Sequence, residues 1–460
     1  MTLGMSSPSW SRRPPPRGRA ASEVAAPRDA RGFLAAWARL LGPRGLPTLP
    51  PRRGRKPRVP LPELLPALIF HVMHGPGTLA EHSAQLFRDS LVDSSWADRR
   101  ARLPWEIFAE LMRRMLRPRA TPRQRDAFWR GWRVVALDGT QFSLTNTPQI
   151  VATTTKARTR RGRAAFAKLT TAVLLEVGLH NPLAAGIGRH GESEWALAQR
   201  LLAQLPARAL LLGDRLYGVA AFVAHARAAC ARVGSHFLFR AGRSTKPRLI
   251  RRLSDGTRLV QIALRARHNP TRILEWLEVR EIRVRVGRQG HRTHEVRLWT
   301  SLRNPRTAPA RELAQLYTQR WEHELYFREV KRHLRKTDLL QSHTIETAAQ
   351  EIAALVLASA VLAAERQRAA TADTPALRIS FPKLLEVVTA LWWWVDLGDG
   401  VLSDQQVDRI IKRGYTRMRQ CVTPARRART CPRAVRQPVQ AWPRLLQPQS
   451  IQGPWEFQIV

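Results

Sequence analysis

Hydrophobic residues follow three rhythms along this chain. From residue 61 to about residue 117 the rhythm is helical. LPELLPALIFHVMHG spaces its apolar residues three and four apart and stops at a His-Gly-Pro-Gly breaker, and TLAEHSAQLFR and PWEIFAELMRRML repeat the pattern. At residue 132 it changes to strands. WRVVALDGTQFSL reads as a buried strand ending in Asp-Gly, KLTTAVLLEVG (168–178) as a second, NPLAAGIGRHG (181–191) as a weaker third and ARALLLGDRLYG (207–218) as an apolar strand stopping at Asp214. SHFLFRAG (235–242) is a further strand, while EWALAQRLLAQL (194–205) and AAFVAHARAACARVG (220–234) are helical. Alternating strands and helices predict a central α/β sheet.

Residues 245–302 then read as a β-rich insertion, through LVQIALRA, LEVREIRVRV and HEVRLWTSL. A long helical region follows from 309 to 368, with another helical stretch at 380–412 that includes LWWWV. The expected division is a disordered basic arm at 1–60, with a short amphipathic helix possible at 31–42, and a helical DNA-binding region at 61–130. An α/β core at 131–244, the insertion at 245–308, a helical part of the core at 309–368, and a C-terminal helical region with a basic tail at 369–460 complete it.

Charge sharpens this. The 460 residues hold 77 Lys and Arg against 35 Asp and Glu, a net charge of +42. Such a field attracts polyanions, nucleic acid first; a coding bias toward Arg, Ala and Pro produces part of the same excess. Cys230, Cys421 and Cys431 form no CxxC or Cys/His cluster, which argues against a zinc finger and a disulfide framework and fits a reducing cytoplasm. No run reaches the length of a membrane span, and the basic N-terminus has no apolar segment behind it, so neither a membrane partner nor a signal peptide is expected.

Two predicted strands end in acids, Asp138 in DGT and Asp214 in GDRLYG, where an α/β sheet builds its site. Alone, each reads more readily as a turn Asp or a helix cap. A third segment, YTQRWEHELYFREVKRHLRK (317–336), sets Tyr317, Arg320, Glu324, Arg328 and Lys331 within about 80° of arc on an ideal helix. One face thus carries a phenol, three cations and a carboxylate, with Trp321 and Leu325 expected to supply the apolar contact on the other side. His323 points off the acid face and receives no role.

The spacing Y-x2-R-x3-E-x6-K over Tyr317, Arg320, Glu324 and Lys331 resembles the signature of DDE transposases of bacterial insertion sequences, the IS-four family. Trp321 and the YFREVK run match it too, and DGT and GDRLYG resemble the two aspartate motifs in the right order over about residues 53–365. Leu216-Tyr217 departs from the Gly-aromatic pair of many relatives and changes no metal ligand. The resemblance implies a ribonuclease H-like core with the third acid on a helix after a β-rich insertion, as the 109 residues between Asp214 and Glu324 allow. It implies DNA transposition by Asp138, Asp214 and Glu324, with double-stranded DNA as partner and a homodimer in a synaptic complex.

Three converging carboxylates repel, and hard divalent cations relieve this, Mg²⁺ by preference with Mn²⁺ as substitute. Two ions about 3.5–4 Å apart serve an in-line phosphoryl displacement. Asp138 is assigned as the bridging ligand, Asp214 to one ion and Glu324 to the other, with water and then a DNA 3′-hydroxyl as nucleophiles. The resemblance gives Tyr317, Arg320 and Lys331 to DNA phosphates, a role that suits their charge and hydrogen bonding. PRRGRKPR (51–58) is either a minor-groove hook through Arg53 and Arg55 or a solvated linker. Arg158, Arg160, Arg161 and Arg163 either track a backbone or lie in a solvated loop, and Arg240 and Arg243 are further candidates to face the site. Trp299 reads as strand core before a residue that stacks on an extruded base, and Trp392–Trp394 read as core or an interaction face. A catalytically inactive DNA-binding relative and a nuclease of the same fold are the competing functions.

Overall fold

The computed structural model describes residues 32–47, 59–87, 92–159, 162–242, 245–287, 294–335, 337–423 and 456–459. Arg53, Arg55, Arg160, Arg161 and Arg243 lie outside the described residues.

A nine-strand sheet path organises the chain. Strands β1 (Trp132–Ser143), β2 (Lys168–Glu176), β3 (Asn181–Ile187), β4 (Ala209–Gly213) and β5 (His236–Arg240) are followed by β6 (Arg248–Arg252), β7 (Arg258–Arg265), β8 (Ile273–Gly287) and β9 (His294–Thr300). Their order across the sheet is β3-β2-β1-β4-β5-β9-β8-β7-β6, with the short pieces 128–129 and 456–459 attached at β1 and β8. β1 runs antiparallel to β2 and parallel to β4, and β4 is parallel to β5. Val134, Val135, Ala136 and Leu137 are all fully buried and alternate between two cores. Each such aliphatic side chain contributes roughly 1.5–3 kcal/mol, which holds β1 at the centre.

Helices α1 (Gly32–Leu41), α2 (Leu61–Met73), α3 (Leu79–Phe87), α4 (Asp93–Ala101) and α5 (Trp105–Met115) form the N-terminal helical region. Helices α6 (Glu194–Leu201) and α7 (Ala220–Arg232) cover one sheet face, and α8 (Ala310–Tyr317) covers the other. The chain then continues through α9 (Trp321–Arg328), α10 (Ile345–Ala369), α11 (Phe381–Leu397) and α12 (Asp404–Gln420). By length and composition α10 is apolar enough to cross a membrane, but 83% of its apolar window is buried inside the protein. The N-terminal helices and α11 share its core. A reciprocal cap starts it, with the Thr347 amide donating to Thr344 Oγ1 at 3.1 Å and the Thr344 amide to Thr347 Oγ1 at 3.2 Å.

Several expectations change. Residues 32–41 are not part of a disordered arm: Phe33, Trp37 and Leu40 are buried in the helical core. β1 does not end at Asp138 but runs on to Ser143, because β2 supplies an antiparallel partner for the extra residues. The β-rich segment is no separate module, since β9 pairs with β5 and β6 adds a strand not foreseen. Helix α12 continues to Gln420, past the expected start of the tail at 413, on an amphipathic pattern with a Ser403–Gln406 capping box. The 309–368 region breaks into α8, a 3₁₀ turn (Thr318–Arg320), α9 and a π-helical segment (Glu329–Leu334) before α10. The single ideal-helix face is therefore only approximate.

Candidate active site

The parallel pairing of β1 with β4 runs from Arg133–Ala209 to Leu137–Gly213 and stops there. Asp138 and Asp214 are the next residues on these adjacent strands, whose backbones lie about 4.8 Å apart. Across the antiparallel ladder Asp138 faces Val173 of β2. The Gly139 amide donates to Asp138 Oδ1 at 2.9 Å, and the Leu216 amide donates to Asp214 Oδ1 at 2.7 Å. Burial pushes the Asp138 carboxyl up to about 7; Asp214 and Glu194 add to the rise, while the Gly139 amide and Arg320 oppose it.

Helix α9 brings the third acid across. Arg320 Nη2 donates to Glu324 Oε1 at 2.8 Å, and Arg320 Nη1 lies 3.5 Å from Asp138 Oδ2. One guanidinium thus links Glu324 to Asp138. The Tyr317 hydroxyl donates to the Gly213 carbonyl at 3.2 Å, next to Asp214. Lys331 Nζ donates to the Gln141 carbonyl at 2.8 Å and lies 5.1 Å from the centre of the Phe142 ring. Burial, with Arg335 and Lys168 nearby, pushes the Lys331 amine down to about 8. Tyr317, Arg320, Glu324 and Lys331 are therefore gathered along β1 and β4, whereas Arg328 is exposed to solvent. Arg240 ends β5, and its charge acts on the Tyr317 phenol.

The apolar side of α9 differs from expectation. Trp321 is exposed, with the Arg320 guanidinium 5.3 Å from its ring centre. Tyr326, Phe327, Val330 and His323 are buried instead; spaced three and four apart, they form the one face of α9 and the π segment after it that lies opposite Trp321. His323 Nε2 donates to the Val173 carbonyl at 2.9 Å, which anchors the Glu324 helix to the residue opposite Asp138. On the far side, His180 lies 3.1 Å from Glu322 and 2.8 Å from Glu329, and Glu329 pairs with Arg366 of α10 at 3.2 Å. Trp299 is wholly buried with Nε1 donating to Glu281, so it belongs to the core and not to a base-stacking surface.

Among the described residues, no three His, Cys, Asp or Glu side chains converge tightly enough to hold a metal ion as they stand. Arg320 occupies the position between Asp138 and Glu324. Carboxylate oxygens side by side past the β1–β4 ladder, one carboxyl driven up by burial and by its neighbours, nevertheless form the donor set that a hard divalent cation relieves. Asp138, Asp214 and Glu324 thus fit such an ion by the chemistry of their oxygen donors.

Sequence reasoning missed Glu194 and the anchoring His323. Glu194 is the first residue of α6, whose N-cap Ser193 accepts from the Ala196 amide at 3.2 Å, so it reads as an ordinary helix-start acid. The Tyr217 hydroxyl donates to its Oε1 at 2.8 Å.

Residues 129–361, from the approach to β1 into α10, match the family described as Transposase DDE domain. The chain belongs to the DDE transposase family. The match starts later than the expected 53 and takes in β1–β9 and α6–α9. The chain is 28% identical over 236 residues to the transposase InsG for insertion sequence element IS4 from Escherichia coli (strain K12), covering 50% of this chain and 51% of that one. It thus spans about half the length of the curated relative it matches. A piggyBac transposase synaptic complex with hairpin DNA, determined by cryo-EM, aligns over 78% of each chain with a TM-score of 0.34 and 7% identity, too low to establish a shared fold.

Proposed function

We propose that this chain is a DNA transposase that cleaves and joins strands at insertion-sequence ends, with Asp138, Asp214 and Glu324 holding divalent metal, Mg²⁺ by preference. The observation that carries it is the juxtaposition of Asp138 and Asp214 just past the end of the parallel β1–β4 ladder, with Glu324 tied to Asp138 through Arg320. The order β3-β2-β1-β4-β5, antiparallel then parallel, supports a ribonuclease H-like core. Bound metal would supply a Lewis acid for phosphodiester attack by water and then by a 3′-hydroxyl.

The chain's own groups orient the substrate. DNA phosphate entering beside Glu324 competes for Arg320 and Lys331, which without DNA donate to Glu324 and to the Gln141 carbonyl. Release of Glu324 from Arg320 then completes the acidic set. Tyr317 acts from its bond to Gly213, setting the turn that presents Asp214. Arg328 and Trp321 are exposed for contact with the DNA backbone and bases, and Arg53 and Arg55 serve as a minor-groove hook. A homodimer joins two element ends in the synaptic complex.

The test is cleavage of a labelled duplex carrying the element's ends, with Mg²⁺, by wild type and Glu324→Gln. Metal-dependent nicking at the end should fall at least about 100-fold in the variant while duplex binding persists. Wild-type binding without cleavage would favour an inactive DNA-binding relative; cleavage untouched by the substitution would remove Glu324 from the site.

A further inference from the structure

The glycine of DGT and the tyrosine of GDRLYG share one neighbour, Glu194. A methyl group on residue 139 would overlap the Glu194 carboxyl group. Gly139 has no positive φ that would demand glycine, and a strand interior ordinarily disfavours it. The glycine is thus explained by the carboxylate it admits. The Gly139 amide donates to Asp138 Oδ1 at 2.9 Å, so the same residue that fixes Asp138 leaves the space that Glu194 fills. From the other side the fully buried Tyr217, three residues after Asp214, donates its hydroxyl to Glu194 Oε1 at 2.8 Å.

A half-buried glutamate in a chain of net charge +42 would ordinarily pair with a Lys or Arg. Among the described residues Glu194 has no such ion pair; the hydrogen bond it receives comes from the neutral Tyr217 hydroxyl. We infer that Glu194 is a fourth carboxylate of the divalent-cation centre, held beside Asp138 and Asp214 by Gly139 and Tyr217. This rests on the metal-dependent reading above. It divides the work of the two motifs: DGT provides a ligand and the space for a second, and GDRLYG provides a ligand and the hydroxyl that orients that second one.

The test measures Mn²⁺ binding to the full chain in complex with a short duplex, from the free-Mn²⁺ electron paramagnetic resonance signal corrected for the duplex alone, together with the melting temperature of the metal-free protein. Asp138→Asn is the control. Glu194→Gln keeps the shape and removes the charge; Gly139→Ala keeps the charge and displaces the carboxylate. Both should raise the Mn²⁺ dissociation constant about tenfold or more. The metal-free melting temperature of Glu194→Gln should hold or rise, since one of three crowded carboxylates is gone. Wild-type affinity in both variants would overturn the inference, as would a large fall in melting temperature accompanying weaker binding, which would give Glu194 a scaffolding role. Wild-type binding no tighter than that of Asp138→Asn would overturn the metal reading itself, and this inference with it.

Discussion

Acidification should loosen the helix that carries Glu324, through His323. This imidazole is fully buried against Tyr326 and Phe327, spends Nε2 on the Val173 carbonyl and leaves Nδ1 unpartnered. Burial pushes its pKa down to about 3, the Val173 bond opposing only in part. An unfolded chain takes up that proton near pH 6.5, whereas the folded chain resists until about 3. The unfolded state therefore binds more protons throughout this window, and stability falls as pH drops through it. Between pH 7 and pH 5 the loss through this one group is about 2 kcal/mol. Urea unfolding at the two pH values, followed by tryptophan fluorescence, measures it against His323→Gln, whose amide donates to Val173 but does not titrate. Wild type should lose about 2 kcal/mol more than the variant. Equal losses, within about 0.5 kcal/mol, would refute the account.

Two further outcomes are expected. With its pKa down near 8, Lys331 must be protonated to hold a phosphate, so duplex affinity through it should weaken about tenfold between pH 7 and pH 9. Fluorescence anisotropy at constant ionic strength should show that slope flattened in Lys331→Arg, and an unchanged slope would exclude Lys331 from phosphate contact. Arg280 is fully buried and donates to Thr257 Oγ1 at 2.9 Å, to the Ala308 carbonyl at 2.6 Å and to Asp255. Arg280→Met strands these acceptors and should cost about 3–5 kcal/mol in a denaturation experiment; a loss under about 1 kcal/mol would mean that water replaces the guanidinium.

The sheet was legible because its central strands are apolar on both faces: VVAL and ALLLG can only be buried, and the acids that follow them mark where burial stops. The motif spacing located Glu324, Arg320 and Lys331 because one helical segment carries all three. Elements whose form depends on distant partners were not legible. β1 passes Asp138 because β2 extends beside it, and β9 joins β5 through backbone bonds that no side-chain pattern announces. Trp321 misleads because it is apolar yet lies opposite the stripe of His323, Tyr326, Phe327 and Val330 that packs inward. Glu194 escaped notice because its local sequence, Ser-Glu at a helix start, is fully accounted for by capping; its second role exists only where β1 and the turn after β4 meet.

The fusion of the β-rich segment with the core sheet also has a mechanical consequence. A single transverse row of paired residues runs Arg252, Arg258, Glu281, Trp299, Phe239, Gly213, Leu137. It starts at the exposed, arginine-bearing edge strand and ends at the two residues directly before Asp214 and Asp138. Strand pairing joins every step, so the far rim and the acids belong to one continuous sheet. The position of the arginine rim and the spacing of the two aspartates are thus fixed by one and the same sheet, like two points on a single beam.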